Sequence, residues 1–102
     1  MDDTISIENL KESLNQFAKE RGWDEKSRDL AISISLEAAE LLEHYQWSER
    51  GDDKVVEIKR ELADVMIYCL RFALLNGIDI SEAIHEKMSL NAQKYPAPGH
   101  EK

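Results

Sequence analysis

Apolar residues recur every three to four positions along this 102-residue chain, and the pattern is interrupted only at glycine, proline and short polar clusters. In the first segment Ile7, Leu10, Leu14 and Phe17 form a stripe that Gly22 stops. The second carries Leu30, Ile34, Leu41 and Tyr45 before Gly51, with Asp24 or Ser27 as its cap. Asp52 or Asp53 opens the third, which runs to Asn76-Gly77, a pair suited to a left-handed helix stop. Asp79, followed three residues on by Glu82, resembles a capping box for the fourth, and Pro96 and Pro98 end it. No useful length alternates with the two-residue period of a strand. The pattern predicts an all-α fold: a four-helix bundle in one domain over residues 1–102, with a loosely held tail at about 97–102.

The third segment constrains the assembly. From Leu62 to Leu75 only Asp64 and Arg71 are charged, so the helix is apolar nearly all the way round and calls for cover on most sides. A chain this short covers it poorly alone, which predicts a homo-oligomer with Leu70, Phe72 or Leu74 at a subunit contact. The run falls short of the ~20 residues needed to span a bilayer. Met1-Asp2-Asp3-Thr4 lacks the basic start and apolar stretch of a signal peptide. The single Cys69 lies in the apolar run and reads as a buried, inert thiol, so a reducing, cytoplasmic setting is expected.

A formal net charge of −8 argues against nucleic acid and against an anionic membrane surface as partners. It also sits awkwardly with any polyanionic small molecule unless metal cations neutralise part of the acid. Two acid pairs supply a reason for such cations. Glu37 stands inside the second stripe, between Ile34 and Leu41, with Glu40 one turn on. Glu61 and Asp64 repeat the i, i+3 spacing in the third helix, among Ile58, Leu62 and Val65. Residues three apart on a helix are neighbours, and a short connection around Gly51 makes the helices antiparallel, so the pairs can meet. Four carboxylates at a partly apolar site cannot all stay ionised uncompensated. A hard divalent cation such as magnesium, which takes oxygen ligands and keeps waters and phosphates in its shell, resolves the repulsion. Glu43, beside His44, falls on the solvated flank.

Leu36-Glu37-Ala38-Ala39-Glu40-Leu41 followed by Glu61-Leu62-Ala63-Asp64 resembles the E-x-x-E…E-x-x-D signature of the MazG-like, all-alpha nucleoside triphosphate pyrophosphohydrolases, the group that includes the dCTP pyrophosphatases. Arg21-Gly22-Trp23, Tyr45-Gln46-Trp47 and Lys87-Met88…Asn91…Lys94-Tyr95-Pro96 are similar to further landmarks of that family. The resemblance implies a dimer or tetramer and magnesium, with manganese as a substitute, on Glu37, Glu40, Glu61 and Asp64 as the catalytic, metal-binding set. It implies cleavage of a (deoxy)nucleoside triphosphate between the α and β phosphates, giving monophosphate and pyrophosphate, in nucleotide-pool cleansing. Lys87, Asn91 and Lys94 then bind phosphate, and their spacing of four and three independently groups them on one helix flank. Tyr68, four residues after Asp64, can reach the same site. Trp23 and Trp47 are implied to stack on the base. Leu14 departs from the histidine of some relatives, and the Trp23–Arg28 segment is about two residues shorter, which bears on base and sugar preference.

Two other readings remain open from the residues. Glu82-Ala83-Ile84-His85 is a Glu-x-x-His, but a di-iron carboxylate bundle combines two of these and one is present. A non-catalytic helical interaction module with solvated acids is the rival from another class.

Overall fold

The computed structural model describes residues 5–47, 49, 51 and 54–99. They form the four expected helices: α1 (Ile7–Glu20), α2 (Ser27–Glu43), α3 (Val55–Leu75) and α4 (Ile80–Lys94), with no strand among the described residues.

Local chemistry sets most of the ends. Ser6 caps α1 by accepting from the Asn9 N–H at 3.0 Å, while the Asn9 side chain accepts from the Ser6 N–H. At the other end Trp23 N–H reaches back to the Ala18 carbonyl (3.0 Å) and Gly22 N–H to Lys19 (3.1 Å). That paired closure requires the left-handed residue that Gly22 provides at φ 65°. Asn76-Gly77-Ile78 close α3 with the same pair of bonds. Asp79 accepts from Glu82 N–H at 3.1 Å, as the sequence predicts. The start of α2 differs from expectation. Lys26 is the cap residue, and the Asp29 carboxylate accepts its N–H, leaving neither Asp24 nor Ser27 as the cap. Ser27 instead donates its hydroxyl to Asn76 Oδ1 at 3.0 Å. Lys54 precedes α3, and the Asp52 and Asp53 expected to open it lie outside the described residues.

Contacts at both ends show that α2 and α3 run antiparallel: Ser27 meets Asn76, and His44 meets Glu61. Gly51 fixes the turn between them. It sits at φ 62° against Tyr45 and Ile58, where an added Cβ would lie 2.6 Å from Ile58 Cδ1. Helix α1 packs on α3, tied by the buried Lys11, whose Nζ donates to the Ile78 carbonyl at 3.2 Å. The core is small: Leu30, Leu70 and Ala73 are the fully buried apolar residues among those described. Leu70, at 4% exposure, thus serves the chain's own core and is not free for a subunit contact. Cys69 is half-buried, less enclosed than its apolar neighbours predict.

Helix α4 buries none of its residues and leaves Ile84, Met88 and Leu90 exposed. The radius of gyration, 16.8 Å, exceeds the roughly 13 Å of a compact 100-residue domain. The accessible surface of 8357 Å² likewise exceeds the ~5,900 Å² scaling value for this mass.

Candidate metal centre and adjoining cleft

The α2–α3 packing brings together acids that are distant in sequence. One oxygen each from Glu37, Glu61 and Asp64 lie within 4.8 Å of one another. Glu37 and Glu61 are half-buried between the helices, while Asp64 is exposed at the edge. Glu40, one turn beyond Glu37, stands outside this trio but within its field. Burial raises the Glu37 carboxyl above its ordinary range, and the charges of Glu40, Asp64 and Glu61 add to the effect. For Glu40 the charge of Glu61 is the main cause of a shift in the same direction, followed by desolvation and the charge of Glu43. Two carboxyls held above their ordinary range mark a site whose negative charge exceeds what the protein itself compensates.

Glu61 shows what is missing. Its Oε1 lies 3.9 Å from His44 Nε2, whereas its Oε2 is sealed from solvent without a hydrogen-bond partner. A buried carboxylate oxygen with no donor is costly. A divalent cation on the Glu37–Glu61–Asp64 cluster would relieve the repulsion, so the donor set fits a hard, oxygen-seeking metal.

Asp64 also borders a cleft of about 390 Å³ between α1 and α3. Leu14, Phe17, Trp23, Ile67, Tyr68 and Arg71 supply most of its walls. Trp23 stands edge-on to Phe17, with ring centroids 5.4 Å apart and planes at 65°. A second hollow of about 330 Å³ shares Leu14, Trp23 and Arg71 with the first and reaches Glu25 and Leu30.

A family model described as MazG-like family matches residues 32–102. The chain belongs to the MazG-like family. The matched stretch contains all four acids but not α1 or Trp23. Among similar proteins, dCTP pyrophosphatase 1 of Mus musculus is 31% identical over 101 aligned positions, covering 89% of this chain and 59% of that protein. The Homo sapiens protein of the same name is 29% identical over 102 positions, covering 90% and 60%. The MazG-like chain therefore spans about three fifths of the length of these curated relatives. A solved structure of a pyrophosphatase from Archaeoglobus fulgidus matches with a TM-score of 0.82 and 36% identity, over 95% of this chain and 98% of that one.

Within this MazG-like chain the expected site residues fall into two groups. Glu37, Glu61 and Asp64 cluster, with Glu40 beside them, and Tyr68 and Trp23 line the cleft that Asp64 borders. Trp47 is 90% exposed beyond the end of α2 and lines neither hollow. Lys87, Asn91 and Lys94 are exposed along α4, and no side-chain hydrogen bond or ion pair among the described residues joins them to the acids. Glu82 and His85 take no part in the acid cluster.

Two residues escaped the sequence reading. His44 faces Glu61 and is largely covered, whereas its neighbour Glu43 is exposed as the sequence predicts. Arg71 is 9% exposed, paired with Glu25, and lies 5.0 Å from the Trp23 ring centre and 5.5 Å from that of Tyr68. The signal for Arg71 was its isolation: it is the sole cation of the apolar run, and a buried guanidinium requires an acid partner.

Proposed function

We propose that this chain hydrolyses nucleoside triphosphates, deoxynucleotides foremost, to monophosphate and pyrophosphate in the cytoplasmic pool, using magnesium held by Glu37, Glu40, Glu61 and Asp64. The observation that carries this reading is the Glu37–Glu61–Asp64 cluster, with its unpartnered Glu61 oxygen, bordered through Asp64 by an aromatic cleft. A triphosphate can lay its phosphates at the acids and its base in the cleft that Trp23 and Tyr68 line. Family membership and the pyrophosphatases among its relatives support the same assignment.

When bound, magnesium neutralises charge on the phosphate oxygens and makes water a better nucleophile. The chain's own residues do the rest. Glu37 and Glu61 are held by helix packing and fix the direction from which ligands approach. Glu40, one turn beyond Glu37, completes the carboxylate set and would hold the cation or its bound water. Asp64 joins acid cluster and cleft, so its position sets the register between phosphates and base. Water exclusion and stacking fall to Trp23 and Tyr68.

In this reading Lys87, Asn91 and Lys94 hold phosphate, and Trp47 holds the base, in an assembly with a second copy of the chain. The excess surface, the unpacked α4 and the exposed Ile32, Leu36, Leu62 and Met66 beside the acids support an oligomer. The test is chromatography of dCTP and dATP reactions with magnesium. Monophosphate and pyrophosphate should appear together, and an accumulating diphosphate would rule out this cleavage site. A protein that turns over none of these and melts at the same temperature with and without magnesium would be the non-catalytic module.

A further inference from the structure

We propose that Arg71, held by Glu25 between Trp23 and Tyr68, reads the base edge and favours bases that offer two adjacent hydrogen-bond acceptors. The inference deepens the triphosphate reading and rests on it for the orientation of the base.

Stacking on Trp23 and Tyr68 tolerates any base, since every base has a π-face. Discrimination needs polar atoms, and the cleft has few. Leu14, Phe17 and Ile67 offer none, Ser13 offers one hydroxyl, and Asp64 belongs to the acid cluster. Arg71 is the only cation on the wall of either hollow, and with Trp23 and Leu14 it lines both. Its side chain is nine-tenths buried, yet its sole side-chain hydrogen bond among the described residues goes to Glu25. Glu25 engages one nitrogen of the guanidinium, and the side chain lines both hollows. Glu25 neutralises the guanidinium and anchors it through one nitrogen. The remaining fork carries only donors.

A donor-only fork suits an edge with two neighbouring acceptors. Cytosine presents O2 beside N3, and guanine presents O6 beside N7. Thymine and uracil place the N3–H donor between their carbonyls, and adenine sets its amino group beside N7, so the fork meets a donor in each. The expected ranking is cytosine and guanine above thymine, uracil and adenine.

Binding of dCMP, dGMP, dTMP and dAMP to the intact protein, followed by tryptophan fluorescence, tests this without turnover. The wild type should hold dCMP and dGMP about tenfold or more tighter than dTMP and dAMP. Arg71→Met should erase that preference and leave dTMP affinity nearly unchanged. Should Arg71→Met fail to fold, Glu25→Gln, at a partly exposed position, keeps the guanidinium but weakens its anchor and should narrow the preference. Equal wild-type affinity for all four, an equal loss for all four in Arg71→Met, or an unchanged preference in Glu25→Gln would overturn the proposal. A dCTP hydrolysis assay with magnesium runs alongside. Base preference without hydrolysis would refute the pyrophosphohydrolase reading and uphold Arg71, whereas hydrolysis with no base preference would do the reverse.

Discussion

Glu37 and Glu40 bind protons more tightly in the folded chain than an ordinary glutamate does, because burial acts on the first and the charge of Glu61 on the second. A carboxyl whose folded pKa is raised costs no stability while both states are protonated. The cost grows as pH rises from the usual value of 4.5 through the folded value. The metal-free protein should therefore lose part of its stability as pH rises above about 4.5. Glu40→Gln removes one of these charges, so it should melt higher than the wild type at pH 7 without magnesium, and no higher at pH 4. Turnover should be abolished in the same variant. Thermal melts at the two pH values, with and without magnesium, check this. A Gln variant less stable than wild type at pH 7 without metal would mean the acids are not in repulsive contact. The i, i+3 spacing made these acids legible, because helix geometry alone brings each pair together. Arg71 and His44 were not legible as site residues. Their partners, Glu25 in the α1–α2 connection and Glu61 on α3, are distant in sequence, and no local period specifies which acid a buried cation will meet.

Helix ends carry a second contrast between what neighbours in sequence dictate and what packing decides. Gly22 and Gly77, which close their helices, and Asp79, which opens α4, were readable because their bonds stay within five positions. The α2 start was misread because several capping residues crowd Asp24 to Asp29, and the tertiary bond from Ser27 to Asn76 takes one of them out of contention. Gly51 and Gly22 separate the two contributions by experiment. Both have nearly the same left-handed φ, 62° and 65°, so alanine pays a similar backbone penalty of roughly 1–2 kcal/mol at either. At Gly22 an added Cβ meets nothing within 4 Å, whereas at Gly51 it collides with Ile58 and crowds Tyr45. Gly51→Ala should therefore unfold at lower denaturant than Gly22→Ala, and should also weaken magnesium binding, because the turn sets how α2 and α3 present their acids. Equal destabilisation by the two substitutions would show that the α2–α3 turn yields freely and does not set the acid cluster.

At the scale of the whole molecule the chain is too open for its size. Its fully buried apolar set of Leu30, Leu70 and Ala73 is a meagre core, while Ile32, Leu36, Leu62, Met66 and the apolar side of α4 face outward. Burying apolar surface at ~25 cal/mol per Å² is the available way to stabilise such a fold, and a second copy offers a matching face. Light scattering should show an oligomer at micromolar concentration, and a well-behaved monomer would sink this. The arrangement of site residues carries the argument further. The acids sit between α2 and α3, and the Lys87–Asn91–Lys94 flank lies on a helix that buries none of its own residues. If the lysines serve the acids of a neighbouring copy, each working site draws on two chains. Lys87→Ala/Lys94→Ala and Glu40→Gln proteins should then each be inactive alone. Mixed after mild dissociation and reassembly, they regain a site in which one chain supplies intact acids and the other intact lysines. Random pairing makes half of the dimers mixed, and one of the two sites in each is complete, so recovery should approach about one quarter of wild-type activity. A mixture that exchanges subunits yet stays inactive would place the lysines and the acids of a working site on the same chain.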